Sequence, residues 1–123
     1  MAGTKKLIGT CFGRFDLIHY GHINLFRWCK AQCDILLVGV ASDEYCAKFN
    51  PVKNQWRDRA EVVRAIKYVD SVYCHDSENP RTLWYETCAA DIMFLQAEQR
   101  TDSEYQIAVQ SLQKAEPHIK IVW

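Results

Sequence analysis

Seven consecutive residues, Ile35-Leu36-Leu37-Val38-Gly39-Val40-Ala41, carry no polar side chain. A strand with one wet face alternates apolar and polar residues. An unbroken run this short instead reads as a strand covered on both faces, as in a parallel sheet between helix layers. The rest of the chain alternates in the same sense. Lys6 to Phe12 predicts a first strand. Gly21 to Gln32 predicts a helix with Leu25, Phe26 and Cys29 at core spacing. Ser42 caps a short helix through Asp43-Glu44-Tyr45, and Asn50-Pro51 breaks it. Arg57 to Lys67 is helical with Val62, Val63 and Ile66 facing inward, and Val69 to Cys74 is a strand. Asn79-Pro80 opens a helix to Cys88. Asp91 to Leu95 is a fourth strand. Asp102 or Ser103 caps a helix through Lys114, with Tyr105, Ala108, Val109 and Leu112 on its inner face, and Ile119 to Trp123 is the last strand. This β-α repetition predicts an α/β fold, an open, doubly wound, parallel sheet of five strands.

At 123 residues the chain suits one domain, and no linker, repeat or low-complexity tract divides it. Apolar residues make up 49% of it, enough for a real core. Lysine plus arginine balance aspartate plus glutamate at 15 each, which leaves no electrostatic footprint for nucleic acid or an anionic membrane. No apolar run approaches the roughly 20 residues that span a bilayer. Met1-Ala2-Gly3-Thr4-Lys5-Lys6 lacks a hydrophobic leader, so the expected location is the cytoplasm. Of six cysteines, Cys11, Cys29, Cys74 and Cys88 fall in apolar stretches, where a thiol acts as a small hydrophobe. No Cys-x-x-Cys pair accompanies them, so neither zinc nor disulfides are expected.

Between the first strand and the first helix lies Gly13-Arg14-Phe15-Asp16-Leu17-Ile18-His19-Tyr20-Gly21-His22. A strand-to-helix turn aims free backbone N–H groups and the positive end of a helix dipole at one spot, which suits a polyanion. Glycine admits a phosphate where a Cβ would block it. Two histidines three apart lie near one face of a helical turn, and each can offer an N–H to a phosphate oxygen. In a doubly wound sheet, ligands bind beyond the carboxyl ends of the strands, where the strand order reverses. Motif and topology therefore select the same place. Other readings stand beside this one: Asp16 as a turn cap, His19 and His22 as a metal pair without an evident third ligand, His75 and His118 as surface residues, and Trp56 and Trp84 as packing residues.

The pattern Gly-x-Phe-Asp-x-x-His-x-Gly-His resembles the signature of the cytidylyltransferases, within the nucleotidyltransferase superfamily marked by His-x-Gly-His. It fixes Gly13, Phe15, Asp16, His19, Gly21 and His22. Asp34 to Glu44 is similar to the family's second strand and following turn. Lys48-x-x-Pro51-Val52 resembles its lysine loop, with Lys53 as the competing lysine. Arg59, followed by Tyr68-Val69-Asp70-Ser71-Val72, resembles its arginine and third strand. The resemblance implies a Rossmann-like sheet and an enzyme joining CTP to a phospho-alcohol such as glycerol 3-phosphate, phosphocholine or phosphoethanolamine, with release of pyrophosphate. The short chain favours the glycerol type. In that scheme His19, His22 and Lys48 are catalytic, and Gly13, Arg14, Phe15, Asp16, Gly21, Arg59 and Asp70 bind nucleotide. Arg14 stands where the family usually has a smaller residue, and would add or block a phosphate contact. Mg²⁺ is expected, held mainly through the nucleotide phosphates, and a homodimer is implied.

Two family elements are altered. After the fourth strand a Gly-Asp-Asp-type turn is usual, whereas Gln96-Ala97-Glu98-Gln99 stands here. An Arg-Thr-x-Gly-Ile-Ser-Thr segment should follow a fifth strand, and the sequence stops at Ile119-Lys120-Ile121-Val122-Trp123. Two other functions therefore remain open. One is a catalytically weakened relative that binds nucleotide or a partner protein. The other is an adenylyltransferase using ATP, since His-x-Gly-His is shared across the superfamily.

Overall fold

The structure is a computed structural model that describes residues 6–48, 51–76, 90–95 and 103–122. The elements run β1 (Ile8–Gly13), α1 (Tyr20–Lys30), β2 (Ile35–Ala41), α2 (Asp43–Ala47), α3 (Trp56–Arg64), β3 (Ser71–His75), β4 (Ile92–Phe94), α4 (Ser103–Ala115) and β5 (Lys120–Val122). The strands form one five-stranded sheet in the order β3-β2-β1-β4-β5. Every adjacent pair is parallel, and β1 is central, with Thr10 opposite both Leu37 of β2 and Met93 of β4. The doubly wound, Rossmann-like α/β fold expected from the alternating runs is the fold observed.

Each strand feeds both faces. Cys11, Leu36, Val38, Val40, Ile92 and Phe94 pack on one side, against Phe26 and Cys29 of α1 and Ala60 and Val63 of α3. Phe12, Met93 and Leu95 pack on the other, against Val109 and Leu112 of α4. Of the apolar run Ile35–Ala41, Leu36, Val38 and Val40 are buried on the first face, while on the other Gly39 and Ala41 are buried and Ile35 and Leu37 partly exposed. On the second face Tyr73 crosses β2 at Gly39, and its hydroxyl meets the buried Thr10 Oγ1 at 2.9 Å. A Cβ at Gly39 would lie 2.6 Å from the Tyr73 ring, so this crossing requires glycine.

The amino-terminal edge of the sheet is closed by aspartates. Asp34 accepts from Leu7 N–H at 2.7 Å, Asp70 from Leu36 N–H at 2.8 Å, and Asp91 from Ile8 N–H at 2.9 Å. Each satisfies an amide where a neighbouring strand begins.

Several expectations shift. Val62 is half-exposed, and Ala60 takes its place beside Val63 in the core. Cys74 is exposed, unlike Cys11 and Cys29. Cys11, Cys29, Cys33 and Cys46 are free thiols. The helix expected from Asn79 to Cys88, Trp84, the Gln96–Gln99 turn, the Asp102 cap, the terminal Trp123, and the side chains of Tyr105 and Ala108 lie outside the described residues. No helix of the described residues is long and apolar enough to cross a membrane.

Candidate functional site

From the central β1 the chain builds outward through β2 and β3, then crosses back to β4 and β5. The order therefore reverses between β1 and β4, and the segment from Gly13 to His22 leaves the carboxyl end of β1 at that point. Such a crevice is where doubly wound sheets take ligands.

The turn is built around one strained residue. Phe15 has φ 50°, in the left-handed region that a bulky residue enters at a cost of roughly 1–2 kcal/mol. Burial offsets it. The ring is 5% exposed and packs against Phe26, with centroids 5.2 Å apart, and edge-on to His22 at 5.6 Å.

His19 caps α1: its Nδ1 accepts the Gly21 N–H at 3.0 Å. His22 answers, its Nδ1 accepting the His19 N–H at 3.1 Å. This is the reciprocal box that Ser and Glu usually make, here built from two imidazoles. The ring centroids are 4.1 Å apart. An Nδ1 that accepts carries no proton, so the network assigns the proton of each neutral ring to Nε2. Two Nε2–H donors remain for a ligand. Burial holds the His22 pKa below its ordinary value, and the neighbouring His19 adds to that. His22 is therefore a neutral donor at pH 7. The first turn of α1 contains no acidic residue. Gly21 has a steric reason to be glycine, because a Cβ there would stand 2.8 Å from His19 Cε1 and push the ring off its cap.

Asp16 and Arg59 hold the surrounding segments together. The Asp16 carboxylate accepts the Lys53 N–H at 2.9 Å, the Asn54 N–H at 2.9 Å and the Asn54 Nδ2–H at 3.2 Å. Those amides, Lys53 first, keep its carboxyl below the usual carboxylate range. Arg59 is 1% exposed. Its Nε donates to Asn54 O at 2.9 Å, its Nη1 to Arg14 O at 2.7 Å and its Nη2 to Asp43 Oδ1 at 2.7 Å. Asp43 also accepts the Trp56 N–H at 3.0 Å, capping α3 from α2. The Arg59 guanidinium keeps the Asp43 carboxyl depressed. Trp56 packs as expected, its Nε1–H reaching Val40 O at 2.8 Å.

The geometry therefore sorts the expected site residues. Gly13, Arg14, Phe15, Asp16, His19, Gly21 and His22 form one continuous turn at the crevice. Arg59 supports that turn from beneath, its guanidinium turned to protein oxygens. Lys48 is the exposed C-cap of α2, at the same end of the sheet as the turn. Lys53 is tied to the turn itself through Asp16. Asp70 is not brought to the site. It lies at the opposite, amino-terminal end of the sheet, paired with Lys30. The reason is the edge closure described above, in which Asp70 serves the Leu36 amide near the start of β2.

His75, expected on the surface, is 2% exposed between Phe12 and Tyr45, with ring centroids 4.6 and 4.9 Å away. Its Nδ1 has no hydrogen-bond partner among the described residues, and burial lowers its pKa to about 4. Asn54 and Asp43 are the residues that sequence reasoning left without a role. Asn54 follows a lysine in an apolar-poor loop, where an asparagine ordinarily reads as a turn former. A cavity of about 280 Å³ opens beside the turn, lined in part by Phe15, Asp16, Asn54 and Arg59. No three His, Cys, Asp or Glu side chains group to hold a metal among the described residues.

Comparison with known proteins gives a consistent picture. A family model described as cytidylyltransferase-like matches residues 10–121. An FAD synthase of Pyrococcus abyssi is 45% identical over 74 residues, covering 58% of this chain and 50% of that protein. An ethanolamine-phosphate cytidylyltransferase of Mus musculus is 47% identical over 73 residues, covering 57% of this chain and 18% of that protein. The chain thus spans half or less of the length of these curated relatives. The crystal structure of a lipopolysaccharide core biosynthesis protein from Thermoplasma volcanium has the same fold, with a TM-score of 0.81 at 24% identity over 96% of this chain and 95% of that one.

Proposed function

The chain belongs to the cytidylyltransferase-like family, and we propose that it acts as a cytoplasmic nucleotidyltransferase joining CTP to a small phosphorylated alcohol. Glycerol 3-phosphate is the leading acceptor. The observation that carries this reading is the interlocked His19–His22 pair at the start of α1, which leaves two Nε2–H donors beside a helix N-terminus.

The step is a direct displacement. A phosphate oxygen of the acceptor forms a bond to the α-phosphorus. The bond from that phosphorus to its bridging oxygen breaks, and the electron pair leaves with pyrophosphate. No covalent intermediate on the protein is needed. The two imidazoles donate to phosphate oxygens as charge builds there, and the amides at the head of α1 add to them. Asp16 and Arg59 keep the turn and the 51–55 loop in register, so the donors are fixed before substrate arrives. With the Asp16 carboxylate committed to loop amides, the residues fit a Mg²⁺ carried on the nucleotide phosphates rather than in a protein cage. Bound there, it would neutralise triphosphate charge. The reading includes a homodimer, which light scattering would detect.

A second reading takes ATP as the donor. It is favoured by the FAD synthase relative, whose name specifies an adenine dinucleotide product.

Thermal unfolding with Mg²⁺ and each of CTP, ATP, GTP and UTP tests both. A ligand at 100 times its Kd stabilises the fold by about 2.7 kcal/mol. A shift specific to CTP is expected, and one specific to ATP transfers the proposal to adenylyl transfer. No shift with any nucleotide overturns both and leaves a non-catalytic relative as the account. His19→Ala and His22→Ala should each lower pyrophosphate release by about 100-fold or more with the fold retained.

A further inference from the structure

Asn54 has three of its polar groups engaged. Its N–H and its Nδ2–H both go to the Asp16 side chain, at 2.9 and 3.2 Å. Nδ2 also donates to Asp16 O at 2.9 Å, and Asn54 O accepts from the buried Arg59 Nε at 2.9 Å. The adjacent Lys53 N–H meets the other Asp16 oxygen at 2.9 Å. A loop residue so tied is clamped to the turn that follows β1, three residues before His19. The clamp is local and polar, and it acts on the backbone of one cation, Lys53. Lys48 has no such tie among the described residues, where its N–H closes α2 on Tyr45 O and Cys46 O.

We propose that Asn54 is a positioning residue. With Asp16 it latches the 51–55 loop so that Lys53, rather than Lys48, is the cation set against the phosphates of the bound triphosphate. The proposal rests on the phosphate-handling reading of the turn. It does not depend on which nucleotide or acceptor is used. A lysine ammonium is a flexible point charge with high rotamer entropy. Fixing its backbone next to the site lowers the cost of presenting it. Asn54 is half-buried beside the exposed Lys53, so Asn54→Ala strips both Nδ2 donations from the latch, leaving only its backbone amides on Asp16, without opening the core.

The test uses the full chain, with inorganic tripolyphosphate as probe and calorimetry as readout. Wild type binds. Lys53→Met loses about 10-fold or more in affinity, the size of one charge-assisted contact. Asn54→Ala loses a comparable factor. The Lys53→Met/Asn54→Ala double variant is no weaker than Lys53→Met alone, because Asn54 acts through that lysine. Asn54→Ala also speeds amide hydrogen exchange at Lys53. Asn54→Ser, which keeps a short donor, recovers part of the affinity. The proposal is overturned by any of three results: no binding in wild type, losses that multiply in the double variant, or a loss in Lys48→Met with none in Lys53→Met. Tripolyphosphate binding without pyrophosphate release from any nucleoside triphosphate would refute the nucleotidyl transfer reading and leave this one standing.

Discussion

The two histidines act through geometry that each imposes on the other. Each ring caps a backbone N–H with Nδ1, so neither can take a proton there without breaking the box. Gly21 is the residue on which this depends. Gly21→Ala adds a good helix former inside α1, which favours stability by up to about 1 kcal/mol. It also drives a Cβ to 2.8 Å from His19 Cε1. The expected outcome is a melting temperature within a few degrees of wild type and pyrophosphate release reduced at least 10-fold, measured on the same preparation. The pair was legible in the sequence because it is local: spacing, glycine and helix start lie within four residues. The work of Asp16 and Arg59 was not, since Asp16 meets Lys53 37 positions away and Arg59 reaches back 45 positions to Arg14. Their residue types are compatible with ligand contact and with a strut alike, and only the fold selects between them. Asp70 misled for the same reason. An aspartate just before a strand also occurs at Asp34 and Asp91, and that recurrence was the available signal for edge closure.

Among the elements, α2, α3 and the turn after β1 are joined by one buried guanidinium. Arg59→Met keeps the aliphatic packing but strips donors from Arg14 O, Asn54 O and Asp43 Oδ1. Removing one partner of a buried charged network costs about 3–5 kcal/mol. Because the Asp43 side chain is 48% exposed and can rehydrate, the lower end is expected, read from the midpoint of urea unfolding. Element order was legible from the alternation of apolar runs with helical periodicity. Element ends moved where caps came from elsewhere. The helix expected from Arg57 begins at Trp56, whose N–H is capped by Asp43 across a loop. Val62 sits at a spacing that fits either flank of the α3 stripe, and the smaller Ala60 suits the close approach to the sheet.

At the scale of the whole molecule, the buried His75 sets an acid limit. Its folded pKa near 4 lies below the ordinary 6.5 because burial disfavours the imidazolium. The unfolded chain therefore binds the proton more readily. Stability is complete above about pH 6.5 and falls as pH drops toward 4, by up to about 3 kcal/mol. His75→Phe, filling the space between Phe12 and Tyr45 without a titrating group, should flatten that limb in denaturant titrations run from pH 7 to 4.5. Asp16 and Asp43, both held below the ordinary 3.8, act in a lower window. What they contribute is present above that value and is lost only at more acid pH. The Tyr73 crossing has a consequence of another kind. Thr10, Gly39 and Tyr73 belong to three different strands, yet a side chain at 39 evicts the ring, and without the ring Thr10 loses its buried partner. Lineages that diverged from this chain should therefore inherit the three positions together or exchange them together, so a residue larger than glycine at 39 should travel with a smaller one at 73.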